Sequence, residues 1–188
     1  MKVFFTASYR GVNNHSSTYK KIYSIISDLG HTHLSNRVIQ NDISTLLQTN
    51  EEEMAKIYKE SVQAVKNCDI CIVEVSVHSM SAGYLIDRAL ESGKPVIVLH
   101  PSGKEPYFFS GIKNDRLHIW EYTDDDLKVV VGQAIDDTRD QMDVRFNFFV
   151  SPKIVNYLDW ISKKKRMPRA VYLRRLIEID MKAIPEYE

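Results

Sequence analysis

Cysteine is scarce in this chain, which has only Cys68 and Cys71 among its 188 residues. A Cys-x-x-Cys pair can hold zinc only with a second pair of ligands at suitable spacing, and no second cysteine pair follows. Cys71 also lies inside the apolar run 70–73, as a buried thiol would. We therefore expect two buried, reduced thiols and no metal site, and the sequence indicates no cofactor.

Long hydrophobic runs are missing too. No 18 consecutive apolar residues occur, which argues against a membrane-spanning helix. The apolar start at residues 3–5 is too short for a signal peptide. The composition, with 44% hydrophobic and 27% charged residues and only seven glycines, is typical of a globular protein. These observations predict a soluble, cytoplasmic protein with no membrane partner.

Neither sign of charge is in excess, yet the zero net charge conceals an uneven distribution. Residues 1–143 carry 15 Lys and Arg against 20 Asp and Glu, whereas residues 144–184 carry ten against three. Opposite charge on the two parts predicts two modules with different partners. We place the boundary between an N-terminal domain, 1–141, and a C-terminal domain, 142–188.

The first part alternates between apolar strands and amphipathic helices. Strands that are apolar throughout and alternate with helices indicate a parallel sheet that is covered on both faces. The predicted strands are residues 3–7, 31–35, 69–76, 95–100 and 116–122, and the predicted helices are 18–29, 51–67, 81–92 and 124–140. The expected fold class is therefore α/β.

Polar residues follow the first and third of these strands. Ser8, Arg10 and Gly11 come after the first strand, and Ser79 and Gly83 lie after the third strand, where the chain leads into the start of the next helix. In such folds the ligand lies at the carboxyl ends of the strands. Hydroxyls, a guanidinium and the N–H groups at a helix start are suited to a phosphate. From the residues alone, a phosphate site and ordinary turn chemistry are equally open.

Residues 2–128 resemble the nucleoside 2-deoxyribosyltransferase superfamily, and most closely its 2′-deoxynucleoside 5′-phosphate N-hydrolase branch. The resemblance implies a flavodoxin-like, five-stranded parallel sheet with helices on both faces, and a protein that associates as a dimer. It also implies that Ser8, Arg10, Gly11 and Ser79 hold a 5′-phosphate. The matching segments are 3–11, 64–75, 83–84, 88–90, 93–95 and 118–122, together with Ser79.

Three positions depart from this family. The glutamate that the family has after a Gly-Tyr pair corresponds to Leu85, an aspartate on the preceding helix to Ser61, and a tyrosine of the first strand to Phe4. The chemistry needs carboxylates at the sugar C1′ position, which Leu cannot supply. Asp87 or Glu60 could substitute only if the alignment shifted. This pattern predicts a nucleotide-binding domain that no longer cleaves its ligand.

The basic C-terminal part has its own pattern. Residues 145–150 predict one strand, and two helices are expected to begin near Pro152 and Pro168. About 40 residues with one strand cannot bury a core alone, so the strand must pair, most simply with its own copy. This part resembles the ribbon-helix-helix family of DNA-binding proteins along its length.

The resemblance to that family implies double-stranded DNA as a partner. The outward ribbon residues that would read bases are Arg145, Asn147 and Phe149, of which Phe149 departs from the usual polar reader. Contacts to phosphates would come from Lys165, Arg166 and Arg169. The alternative is that this module serves only for dimerisation.

Taken together, these features predict a homo-oligomeric regulator that senses a nucleoside monophosphate or a related phosphorylated molecule and binds DNA. The first alternative is an active nucleoside deoxyribosyltransferase or deoxynucleotide N-glycosidase. The second is an oligomeric scaffold that does not bind DNA.

Overall fold

The structure is a computed structural model, and it describes residues 1–40, 50–140, 148–165 and 167–184. The chain forms two compact units, Met1–Asp143 and Val144–Glu188, which are described separately.

The first unit is built on a parallel sheet of five strands in the order β2-β1-β3-β4-β5. This is the strand order of flavodoxin-like folds, and it confirms the predicted five-stranded parallel sheet with helices on both faces. The strands are β1 (Lys2–Ala7), β2 (Thr32–His33), β3 (Ile70–Glu74), β4 (Val96–Pro101) and β5 (Leu117–Tyr122).

Helices connect these strands, and a 3-10 turn at Tyr9–Gly11 follows β1 directly. Within the described residues of the first unit, the helices are α1 (Val12–Asp28), α2 (Arg37–Gln40), α3 (Glu51–Asn67), α4 (Met80–Glu91), α5 (Tyr107–Ser110) and α6 (Leu127–Asp140). Three glutamates open α3, where negative charge is favourable, and the side chain of Asn50 accepts a hydrogen bond from the Glu53 N–H at 2.8 Å.

Two apolar clusters cover the two faces of the sheet. Val3 and Phe5 of β1 face a cluster that includes Tyr19 of α1 and Ile135 of α6. On the other face, Phe4 packs in a cluster with residues of α3 and α4. Both cysteines are buried and free, as predicted. Burial raises the pKa of the Cys68 thiol to about 11.

Helix α1 differs from its prediction, because it begins at Val12 rather than near Thr18. Its first turns are polar, so the apolar periodicity that predicts a helix is visible only further along. The polar stretch after β2 likewise contains α2, and α5 is a single turn, too short to show a period.

The second unit contains α7 (Pro152–Lys165) and α8 (Arg169–Ala183). Its small cluster comprises the buried residues Leu158, Ile161 and Tyr172, with Met167 and Leu173 against them. The predicted strand is not seen at 148–150, which have no regular structure, and residues 145–147 lie outside the described part. The ribbon-helix-helix arrangement is therefore not confirmed.

Candidate functional site

The carboxyl ends of β1 and β3 form the centre of the site. The two strands are neighbours, and the chain continues from them toward opposite edges of the sheet, with β2 beside β1 and β4 beside β3. Such a reversal opens a crevice outside the strand ends, where ligands of this fold class bind. The loops that follow β1 and β3 therefore decide what the crevice can hold.

The loop after β1 packs tightly against the side chain of Tyr19. Ser8 is 2% exposed, and its carbonyl accepts hydrogen bonds from the Gly11 N–H at 2.9 Å and from the Tyr19 hydroxyl at 3.4 Å. A Cβ atom on residue 11 would lie only 2.2 Å from the Tyr19 hydroxyl oxygen, so glycine is the residue that fits. Arg10, between them, is exposed.

The loop after β3 leads into α4 through Ser79. Its hydroxyl accepts a hydrogen bond from the Ala82 N–H at 3.3 Å and lies 2.9 Å from the Ser81 hydroxyl. Ser79 is therefore the N-cap of a helix whose first N–H groups favour an anion. A Cβ atom on Gly83 would meet no atom within 4 Å, which leaves this side of the helix open.

A cavity of about 840 Å³ lies over this helix start. Arg10, Ser79 and Gly83 line it together, so the structure brings three of the five predicted phosphate-binding residues to one space. Ser8 and Gly11 are buried and do not line it. The opposite wall is aromatic and includes Tyr107 and Phe108, which are 78% and 86% exposed.

A second cavity, of about 380 Å³, lies at the end of β2 and contains an ion pair. The Arg37 guanidinium donates to the Glu60 carboxylate, and the Lys56 Nζ lies 4.0 Å from it. The hydrogen bond from Arg37 lowers the pKa of Glu60 below its ordinary value, with the positive charge adding to the effect. Ser61 lines the same cavity. Glu60 is therefore an ionised carboxylate in an open cavity.

Tyr9 lies in the loop after β1 and is affected by the charge of Arg37, which lines the smaller cavity. It belongs to the loop that carries Ser8 and Arg10, and burial raises the pKa of its hydroxyl, an effect that the positive charge of Arg37 partly offsets. Arg37 is thus near enough to the loop after β1 to act on it electrostatically.

The three positions that depart from the family pattern are placed as follows. Phe4 and Leu85 are both buried in the apolar cluster between the sheet and α3 and α4, whereas Ser61 is half-buried at the smaller cavity. Asp87 is exposed on α4 and lines neither cavity. Of the two substitute carboxylates named from the sequence, only Glu60 faces a cavity.

Sequence reasoning missed two further carboxylates. Glu105 lines the larger cavity and accepts a hydrogen bond from the Tyr107 hydroxyl at 3.0 Å. Glu74, the last residue of β3, is completely buried. A single acidic residue that ends an apolar strand is a signal that could have identified Glu74. Among the described residues, no group of three His, Cys, Asp or Glu is placed to hold a metal ion.

Only some of the residues that were predicted to contact DNA lie in the described part of the chain. Arg145, Asn147 and Arg166 lie outside the described residues. Phe149 is fully exposed, which suits an apolar contact rather than a polar base reader.

Two of the predicted phosphate contacts are engaged within the second unit. Arg169 Nη1 lies 3.1 Å from Asp159 Oδ1, and Lys165 Nζ lies 5.4 Å from the centre of the Tyr172 ring.

Comparisons with known proteins find relatives that are named as N-hydrolases. It is 31% identical over 104 residues to a Methanococcoides burtonii protein named 2′-deoxynucleoside 5′-phosphate N-hydrolase 1, covering 53% of this chain and 80% of that one. It is 23% identical to the 5-hydroxymethyl-dUMP N-hydrolase of Rattus norvegicus, covering 70% and 82%. No family model matches the chain.

Among solved structures, the fold is similar to that of a Clostridium botulinum CMP N-glycosidase. The TM-score is 0.50 at 18% identity, and the match covers 72% of this chain and 99% of the other. At this identity the similarity shows the fold alone.

These comparisons correct the prediction of a non-catalytic, nucleotide-sensing DNA-binding regulator. That prediction is wrong, because the relatives are named as N-hydrolases, which indicates an enzyme and favours the N-glycosidase alternative. The prediction rests on Leu85, Ser61 and Phe4, admits Asp87 or Glu60 only with a shifted alignment, and does not include Glu74 or Glu105. The DNA-binding assignment finds no support in the relatives' names. No helix within the described ranges has the length and apolarity to cross a membrane.

Proposed function

Because the chain belongs to the family of the 2′-deoxynucleoside 5′-phosphate N-hydrolases, we propose that it hydrolyses the N-glycosidic bond of a nucleoside 5′-monophosphate. Water adds to C1′ of the sugar, the bond from C1′ to the base nitrogen breaks, and the base leaves with a proton. The products are the free base and the sugar 5-phosphate.

The phosphate end of the substrate is assigned to the larger cavity. Arg10 supplies a positive charge, Ser79 a hydroxyl, and the start of α4 its backbone N–H groups. Ser8 and Gly11 contribute indirectly, since they fix the backbone conformation of the loop that presents Arg10. This convergence in one cavity, in a chain of this family, carries the proposal.

The reacting end is assigned to the carboxylate of Glu60. Cleavage at C1′ passes through a transition state with positive charge on the sugar, which an ionised carboxylate stabilises. The hydrogen bond from Arg37 favours the ionised form of Glu60, so Glu60 is suited to this role and not to that of the proton donor. Glu105, hydrogen-bonded to Tyr107, is the second carboxylate of the proposal.

A direct assay of base release tests this function. Purified protein is incubated with 2′-deoxynucleoside and ribonucleoside 5′-monophosphates, and free base is quantified by liquid chromatography. We expect release from at least one monophosphate, with Glu60→Gln lowering kcat by about 100-fold or more, the scale of a lost charge-stabilising group. Asp87→Asn is the matched control and should retain activity. No release from any monophosphate would refute the function, and full activity of Glu60→Gln would refute the assignment of Glu60.

For the second unit we propose self-association. Its buried cluster is small, whereas the apolar side chains of Trp160, Leu176 and Ile177 are 53%, 44% and 59% exposed. A unit of this size rarely holds its fold without further apolar burial. The ribbon-helix-helix resemblance likewise implies that two chains associate through this unit.

Light scattering of the full chain tests this second proposal. We expect a particle of at least twice the 21.8 kDa of one chain. Ile177→Glu should reduce that mass, while Val129→Glu, at an equally exposed apolar site of α6, should not. A monomeric wild-type protein would refute self-association.

A further inference from the structure

Glu74 occupies a position where the pattern of its strand requires an apolar residue. Ile70 and Ile72 of β3 pack in the cluster that contains Tyr19 and Tyr122, and Glu74 continues the same face of the strand with 0% exposure. A buried carboxylate loses its hydration, and a buried polar network is often no more stable than a set of apolar side chains of similar volume in its place. Stability of the core therefore does not account for this carboxylate.

The contacts of Glu74 point instead to the loop that follows it. Its Oε1 accepts hydrogen bonds from the Ser76 N–H at 2.9 Å and from the Tyr122 hydroxyl at 2.9 Å, and the Ser76 hydroxyl donates to the same oxygen. Ser76 begins the loop that ends at Ser79, the N-cap of α4. The carboxylate thereby fixes the first residue of the loop that lines the larger cavity.

The loop after β1 is tied to the same buried group. In the register of the sheet Glu74 is the partner of Ala7, the residue before Ser8. The Tyr19 hydroxyl, which donates to the Ser8 carbonyl, is close enough for the Glu74 charge to act on it: burial, and after it that charge, raises the pKa of Tyr19 well above the ordinary value. Tyr122 is affected in the same way. The Tyr122 hydroxyl thus donates to Glu74 and the Tyr19 hydroxyl donates to the loop after β1, and both hydroxyls stay protonated.

We propose that Glu74 is a positioning residue for phosphate recognition, holding the loops after β1 and β3 so that Arg10 and Ser79 face one phosphate. The proposal rests on the nucleotide site proposed above. It assigns no contact between Glu74 and the substrate, because the carboxylate is buried beneath the loops. Its effect should therefore fall on the phosphate-dependent part of binding and leave recognition of the nucleoside part unchanged.

The test compares two ligands on two variants. Titration calorimetry measures two dissociation constants: the Kd of an intact 2′-deoxynucleoside 5′-monophosphate that the protein accepts as a substrate, and the Kd of the same nucleoside without its phosphate. Urea unfolding measures stability. We expect Glu74→Leu to unfold at a lower urea concentration, because the donors from Ser76 and Tyr122 lose their acceptor. The folded variant should bind the monophosphate about tenfold more weakly and the nucleoside within twofold of wild type. A merely structural role would lower stability too, but it would weaken both ligands equally, so the ratio of the two Kd changes decides between the roles.

Tyr122→Phe is the second variant, which removes one donor to Glu74 with little change in shape. It should weaken the monophosphate about threefold without affecting the nucleoside, and it decides the matter if Glu74→Leu does not fold. Unchanged monophosphate affinity in the variant that folds, or equal loss for both ligands, would overturn the positioning role while leaving the hydrolase proposal intact. A wild-type protein that binds no monophosphate would instead overturn the proposed function itself.

Discussion

Replacing Gly11 by alanine should destabilise the first unit, because the space for a side chain is already filled. The new Cβ atom would lie 2.2 Å from the Tyr19 hydroxyl oxygen, 3.2 Å from Tyr19 Cζ and 3.1 Å from Val77 Cγ2. Tyr19 is completely buried and cannot swing into solvent. Either its ring or the loop that presents Arg10 must move.

The size of the effect follows from two opposing contributions. Overpacking a buried site costs about 1–3 kcal/mol. Alanine stabilises by about 0.4–1 kcal/mol through the unfolded chain, and residue 11 has an ordinary φ of −83°, so no backbone strain is added. We expect a net loss of about 1–2 kcal/mol. Gly132→Ala is the matched control: a Cβ atom there meets nothing within 4 Å, and alanine inside α6 should stabilise by about 0.5–1 kcal/mol.

Urea unfolding followed by tryptophan fluorescence measures both variants. Trp120 lies in β5 and Trp160 in the second unit, so a Trp160→Phe background makes the signal specific to the first unit. The double variant with Tyr19→Phe removes the closest contact and should recover part of the loss, a coupling that a double-mutant cycle reveals. Equal stability of Gly11→Ala and wild type, or strict additivity with Tyr19→Phe, would refute the reasoning.

Three further predictions concern charge, capping and the thiols. Because Arg37 lowers the pKa of Glu60, activity should persist as the pH falls below the ordinary glutamate range. In Arg37→Ala the acid limb of the pH profile of kcat/KM should move to higher pH, and an unmoved limb would contradict the role of the ion pair. Ser79→Ala should lower stability by about 1 kcal/mol in urea unfolding and weaken monophosphate binding, whereas Ser81→Ala, which caps no helix, should do neither. Since burial raises the pKa of Cys68 to about 11 and that of Cys71 well above its ordinary value, neither thiol should react with a thiol reagent at pH 8 until urea unfolds the first unit, and rapid labelling of the native protein would count against their burial.

The sheet could be predicted because its strands carry a strong local signal. Residues 70–73 and 96–99 are apolar throughout, which is typical of strands that are covered on both faces. Helix α1 was partly missed because its first two turns are polar, and α2 and α5 because one turn shows no period. The predicted strand in the second unit was not seen at 148–150.

The site was less predictable because it depends on contacts between distant residues. Arg10, Ser79 and Gly83 could be placed at strand ends from the sequence, and the structure brings them to one cavity. The pairing of Arg37 with Glu60, 23 residues apart, has no local signature, so the sequence alone does not distinguish Glu60 from Asp87. The network around Glu74 joins three elements and follows from tertiary packing alone.

The pairing of β1 has a consequence for how the chain folds during synthesis. Val3 pairs with Ile70, sixty-seven positions further along, whereas β1 shares only two residue pairs with β2. The apolar first strand therefore has little to pair with until β3 has been made, and this long loop must close before the sheet can grow. Until then residues 3–5 are an unpaired hydrophobic strand on a nascent chain, the kind of segment that aggregates or binds chaperones.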